Sequence, residues 1–525
     1  MKQYITLAAA ACMAASSGMA QNVVDAVRYG NSEIIGTARY RAMGGAFGAL
    51  GGDPTCMSDN PAGIAIYRGT SVFSFTPHLI HTNIAADGTE ITESSKNSFG
   101  VSNFAWIGSF RAPSYESLVN FNIGLSVDRR HESHQEYDLV IDGDMPKFAK
   151  GSFGEYLTNQ ANNYLSNSLD PYDAFDWENN STQAPYLSML AWNCFAIDED
   201  KNNTHRVIDP MADFTPYQRL YTREDTHMEN INLSMAANFN DVFYLGATLN
   251  FMDLHSTMMT EMDEDYDFNY EGSYIAYDNK FETTSTGTSL KLGMLWAPVD
   301  GLRLGAAIHT PFYSTVHEMY EGSMCTDDER CEDWENFYDD WYFELRTPWE
   351  YQLSAAYIIG NKGLISVEYD ARDYSSMKYA PSRQYSMPKS YFKDANNKLS
   401  DCLQTQQTFK VGAEYRISKA VSARAGYALT TSPYTDDAYN ATINPNDHGI
   451  VYSSYTKPNF QTLGDQSYLS FGAGWRGKNW TLDAAYVYHH QDQKTAAYPG
   501  DFSTCVMNDL DINKHSFDLT VSYRF

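Results

Sequence analysis

Residues that could do chemistry are present in this 525-residue chain, but their spacing serves no familiar reaction. His131 and His134 flank Glu132, whereas a zinc peptidase needs two histidines four apart with the glutamate beside the first. His489 and His490 are adjacent within a strand-like stretch. There is no G-x-S-x-G turn to expose a nucleophilic serine. Carboxylates cluster at Glu261-Met262-Asp263-Glu264-Asp265 and Asp327-Asp328-Glu329, and such groups suit Ca2+ or Mg2+. Their spacing matches no EF-hand loop, and they read as solvated loops. Six cysteines follow the first twenty residues, with no C-x-x-C pair to hold a metal. Cys325 and Cys331 share one loop and are the simplest disulfide to propose. We therefore expect no enzyme, no cofactor and no bound metal. A net charge of −29 argues against a nucleic-acid partner, which demands basic surface.

The elements that must carry these residues are strands. Phe121, Ile123, Leu125 and Val127 alternate with Asn122, Gly124, Ser126 and Asp128. Ile231 to Phe239, Ile365 to Ala371 and Phe517 to Phe525 repeat the pattern. Alternation at every second residue gives a strand one apolar and one polar face. About fourteen such strands are predicted, over 70–81, 98–110, 118–131, 228–239, 242–254, 284–297, 301–313, 344–359, 363–375, 404–416, 420–431, 465–476, 480–491 and 512–525. Connections such as Asn240-Asp241 and Gly360-Asn361-Lys362 are short. They alternate strictly with long ones, the largest being 132–227. A transmembrane antiparallel β-barrel has this asymmetry, with tight periplasmic turns and long extracellular loops. An even strand count puts both termini on the periplasmic side. The inward positions Glu368, Asp370, Lys410, Glu414 and Arg424 fall on consecutive strands and predict cross-strand ion pairs. Arg303, Arg372, Arg416 and Arg476 are further inward charges, and any left unpaired would suit a ligand carboxylate.

The remaining signals agree with a barrel. Residues 1–20 read as a secretory signal: Lys2, an apolar run from Ile5 to Ala15, and small residues before Gln21. Ala9-Ala10-Ala11-Cys12 only weakly resembles a lipoprotein site. No apolar run is long enough for a membrane-spanning helix. A mean hydropathy of −0.46 is compatible with a barrel, whose two faces average out. The 39 tyrosines would furnish aromatic girdles. The chain ends on an alternating strand with Tyr523 and Phe525, a pattern resembling the one that the barrel-assembly machinery reads in outer-membrane barrels.

Residues 21–69 do not alternate. They contain Met43-Gly44-Gly45-Ala46-Phe47 and then Asn60-Pro61-Ala62-Gly63. Their glycines miss the G-x-G-x-x-G fingerprint, and no βαβ unit follows. These motifs, the strand count and the terminal Phe525 resemble the FadL/TodX family of outer-membrane transporters for fatty acids and other hydrophobic compounds. The composition of 36–68 resembles its Bacteroidota branch. The resemblance implies that 21–69 is a hatch plugging a barrel of 70–525, with Asn60, Pro61 and Ala62 in the hatch. Size supports a plug independently, because fourteen strands enclose more space than wall side chains fill.

The long loop holds an apolar run that includes Leu187, Leu190, Trp192 and Phe195. It is either a surface capture site for a hydrophobic ligand or the core of a loop subdomain. The chain thus reads as a passive, hatch-gated transporter of hydrophobic small molecules. Its other partners would be outer-membrane lipid, lipopolysaccharide and the assembly machinery. Two alternatives remain: a FadL-like barrel serving protein secretion or surface interaction (PorV-like), and a polar-solute porin.

Overall fold

The computed structural model describes residues 22–525 apart from 87–89, 92–93, 113–116, 142–151, 166–168, 176–183, 209–216, 266–273, 327–334, 384–388, 440–456 and 499–506. The signal segment 1–20, the cluster Asp327-Asp328-Glu329 and Cys331 lie outside the described residues.

Fourteen antiparallel strands close on themselves. They are β1 Val72–Ala86, β2 Ser94–Arg111, β3 Leu118–Ile141, β4 Tyr217–Phe239, β5 Phe243–Asp265 and β6 Tyr274–Val299. Next come β7 (Leu302–His309 and Tyr313–Thr326), β8 (Glu335–Arg346 and Trp349–Ile359) and β9 (Gly363–Asp373 and Lys378–Pro381). The last five are β10 Thr405–Arg416, β11 Val421–Thr430, β12 Phe460–Arg476, β13 Trp480–Ala496 and β14 Asn508–Arg524. The breaks in β7 and β8 contain Pro311 and Pro348, which cannot donate to a ladder. β1 pairs with β14 from Val72 against Arg524 to Ala86 against Leu510, so no edge is left open.

The faces are inverted relative to a water-soluble protein. Along β3, Phe121, Ile123, Leu125 and Val127 are exposed while Asn120, Asn122, Ser126 and Asp128 are buried. Apolar side chains point outward because lipid is the solvent there, and polar ones line the lumen. The outward face of β4 is apolar only from Ile231 to Phe239, then turns to Glu229, His227, Asp225 and Arg223.

Strand existence and order were legible, but strand length was not. Residues 132–141 and 217–227 continue β3 and β4 as strand instead of belonging to the loop, and β5 extends to Asp265. Beyond the apolar band both faces of a strand are wet or packed on polar groups. The period-two apolar signal therefore stops while the hydrogen-bonded ladder continues. The cluster Glu261 to Asp265 is strand rather than solvated loop, and Glu264 is fully buried.

Candidate functional site

The lumen is filled by the N-terminal segment. Helix α1 spans Val23–Gly30 and α2 spans Ala38–Ala42, followed by 3-10 turns at Pro54–Met57 and Pro61–Ile66. Asn22, Thr37, Asp53 and Asn60 each cap one of these turns with a side-chain oxygen. The segment seats at the end where the strand connections are short. There Asn120 Nδ2 donates to the carbonyls of Ala65 and Tyr67.

Asn60 holds this plug together. Its Oδ1 accepts from the Ala62 N–H at 3.2 Å, and its Nδ2 donates to Gly48 O at 2.7 Å and to Met294 O of β6 at 3.1 Å. Pro61 fills the first helical position, where no N–H is needed. Gly63 donates to Asn60 O and accepts from Gly52 N, each at 2.9 Å. Gly44 has φ +62° and lies against the backbone of Gly426 on β11. Gly45 has φ +74°, beside Ile34 and Tyr40.

The wall is shaped to receive the plug. Inward positions Gly246, Gly293, Gly305, Gly412, Gly426 and Gly472 sit where a Cβ would collide with plug atoms. At Gly293 it would meet Asn60 Oδ1, with Pro61 Cδ 2.8 Å away. Ion pairs surround the seat: Glu33 with Lys514 at 2.7 Å, Arg39 with Glu414 at 3.1 Å, Arg41 with Asp518 at 2.7 Å, and Asp25 with Lys457 at 3.0 Å. Burial alone would raise the Glu33 carboxyl, but Lys514 and His131 outweigh it and hold the group well below its ordinary range. Asp59 goes the other way: burial pushes it up to about 6 despite the attraction of Lys410.

Above the plug the lumen turns apolar. Met228, Met252, Leu254, Met258, Phe281 and Val316 face inward in one ring. α1 presents Val23, Val24, Ala26 and Val27 to it and fills its centre. Two cations sit below the ring. Arg130 lies with its guanidinium 5.2 Å from the Phe312 ring, and Lys291 donates to Ser58 O. Among the described residues, no carboxylate pairs with either. Both line a polar cavity of about 70 Å3 between plug and wall. A bulge brings Arg130 there. The pairing of β3 with β4 shifts between Arg129 and His131, so inward positions change from even to odd numbers. The plug joins the bulge, because the Glu33 N–H donates to Arg130 O at 3.0 Å.

The outer mouth is capped by the long loop. Helices α3 Phe153–Leu165, α4 Pro171–Phe175 and α5 Tyr186–Asn193 pack on inward residues Tyr137, Leu139, Tyr277 and Ile512. Glu264 accepts from the Phe153 and Gly154 N–H groups at the start of α3. Leu187 and Leu190 are fully buried in this lid. They form the core of a loop subdomain and not an exposed patch. Trp192 is half-buried against Tyr172 and Phe175, and Phe195 is exposed.

The inward charges pair across strands as their spacing suggested. Lys410 meets Glu368 at 2.7 Å and Asp370 at 2.6 Å, and Arg424 meets Glu414 at 2.7 Å. Arg372 pairs with Glu350 at 3.0 Å, while Arg303 donates to Leu50 O of the plug. Cys325 is disulfide-bonded, but its expected partner Cys331 is outside the described residues. Phe525 is exposed at the short-turn rim beside Tyr523, and its backbone pairs with Ser71.

Residues 218–456, from β4 to the segment before β12, match the family described as outer membrane protein transport protein (OMPP1/FadL/TodX). That match covers under half of the chain and marks a likeness to a family of outer-membrane transport proteins. The closed barrel with its apolar outer face is that of a multi-pass outer-membrane protein. A FadL homologue of Pseudomonas aeruginosa superposes with a TM-score of 0.56 at 12% identity, covering 94% of this chain and 99% of that one. The toluene transporter TodX of P. putida gives 0.53 at 11% identity, with the same coverage. At such identity these two likenesses establish the fold alone. No curated protein matches the chain in sequence.

Proposed function

We propose that this FadL/TodX-like barrel carries hydrophobic molecules with an anionic head, long-chain fatty acids above all, and that its plug is the moving gate. The supporting observation is the apolar ring inside a polar lumen, occupied by α1, with unpaired Arg130 and Lys291 at its floor. Burying an acyl chain in the ring gains about 0.8 kcal/mol per CH2. The chain would displace α1, whose apolar side chains occupy the same space. A carboxylate arriving at Arg130 and Lys291 would meet two charges that make no direct ion pair, although Glu350, Asp59 and Asp128 line the same cavity. Ligand then favours an arrangement in which α1 has moved, and the plug follows because Glu33 ties it to the bulge. In this reading residues 1–20 direct export, 21–69 act as the hatch, and Tyr523 and Phe525 serve assembly.

The test is uptake of labelled oleate and of toluene, the latter named for the TodX relative, in a host lacking its own transporter. Wild type should take up oleate above the empty vector. The Arg130→Ala/Lys291→Ala pair should lose oleate uptake by about tenfold or more while toluene entry is unchanged. Equal loss of both would refute the head-group role. A surface-assembled barrel that takes up neither would leave the protein-secretion reading in front.

A further inference from the structure

On the outer face of β13 and β14, away from the lumen, three metal-ligating side chains converge. They are His490 and Asp492 on β13 and Asp511 on β14. One ligand atom from each lies within 4.8 Å of the other two. Asp492 and Asp511 are direct cross-strand partners. Two carboxylates placed opposite one another repel, and nothing in the lipid or lumen requires them there.

The histidine is oriented for coordination. Its Nδ1 lies 3.0 Å from Asn513 Oδ1, which also accepts from the Tyr488 hydroxyl at 2.6 Å. An amide oxygen takes only donors, so Nδ1 carries the hydrogen. Nε2 then turns toward Asp492 Oδ1, 3.1 Å away. Either a proton or a metal cation must then lie between that nitrogen and the carboxylate, and with Asp511 beside them the three ligand atoms converge on one point that a metal can occupy. A histidine whose second nitrogen is tied to an oxygen acceptor is the usual support of a metal ligand. Lys494, two residues along β13, pairs with Asp509 at 3.5 Å.

We propose that His490, Asp492 and Asp511 bind a divalent transition-metal cation, zinc being the best fit, at the outer surface of the barrel. Imidazole with carboxylates selects zinc over calcium or magnesium, which prefer oxygen alone. Ligands about 2.0–2.1 Å from a tetrahedral zinc stand about 3.3 Å apart, within reach of small rotations from the present arrangement. Water would complete the shell. Asn513 is a positioning residue, acting through the His490 ring.

The experiment is equilibrium dialysis of the full barrel in detergent, without a polyhistidine tag and after chelator treatment, against zinc chloride and separately calcium chloride. Wild type should bind one zinc equivalent and hold it against excess calcium. His490→Ala and Asp511→Asn should each weaken zinc binding by at least about tenfold, and Asn513→Ala by about tenfold. Heat-modifiable gel mobility confirms that each variant is folded, and cobalt substitution should give a visible spectrum that His490→Ala abolishes. Zinc uptake unchanged in both His490→Ala and Asp511→Asn would overturn the proposal. So would absence of stoichiometric zinc in wild type, which would make the Nε2 contact a protonated histidine on aspartate.

Discussion

Asn60→Ala should unseat the plug without unfolding the barrel. The substitution removes the hydrogen bonds to Gly48 O at 2.7 Å, Met294 O at 3.1 Å and from Ala62 N at 3.2 Å. All three lie where Asn60 is fully buried, so water does not replace them readily. Two of them lie within the plug and one reaches the wall, so at about 1 kcal/mol net for each the ordered, seated plug loses about 3 kcal/mol relative to a locally opened one. That corresponds to about a 150-fold change in the ratio of ordered to locally opened plug, of which about fivefold comes from the wall contact alone. Asn60→Asp should be worse, because it keeps the acceptor for Ala62 but sets a carboxylate against two carbonyl oxygens. Hydrogen–deuterium exchange of the purified barrel reads the effect directly. Amides of residues 44–66 should lose about two orders of magnitude of protection while those of β3 to β6 keep theirs. Unchanged protection in 44–66 would refute the assignment of Asn60 as the tie. Uniform loss across the strands would show instead that Asn60 supports the barrel wall.

Two further outcomes follow from the plug and the cysteines. Glu33 sits below its ordinary value of 4.5, so its pairing stabilises the seat above that pH and is lost as pH falls below it. Protection of the plug should decline from about pH 5 to 3 in wild type and lose much of that slope in Glu33→Gln; Asp59, raised to about 6, contributes in the opposite sense in both proteins. The disulfide at Cys325 should link it to Cys331 and contribute no more than about 3 kcal/mol, given its short loop. Peptide mapping of protein from intact cells that finds both thiols free would exclude the pairing.

The sequence made the barrel legible because lipid imposes a strict rule on every second residue. Ile231 to Phe239 and Phe517 to Phe525 obey it, and the short connections between such runs order the strands. The rule has no force above the apolar band, so the outer parts of β3 to β5 were hidden. Arg130 was hidden for another reason. A bulge shifts the inward parity by one, and no residue type announces it. Lys291, by contrast, alternates with Leu290 and Leu292 and could have been read as inward. The seat of the plug leaves a signal too: glycines 246, 293, 412 and 426 all fall at inward positions, where a strand has no other need of them. The plug's ion partners gave no signal, since Lys514 and Asp518 look the same in sequence whether they meet a plug or water.

The overhang of the strands changes how a hydrophobic compound can arrive. β4 has 23 residues, and at about 3.4 Å per residue and a tilt near 40° it rises about 60 Å. A bilayer's apolar band accounts for only about 25 Å of that. Strands β3 to β6, of 23 to 26 residues, therefore stand roughly 30 Å above the hydrocarbon, whereas β10 and β11, of 12 and 10 residues, end close to it. The collar is thus high on one side of the barrel and low on the other. A hydrophobic compound dissolved in the outer leaflet meets a tall polar wall at β3 to β6 and its shortest climb to the rim at β10 and β11.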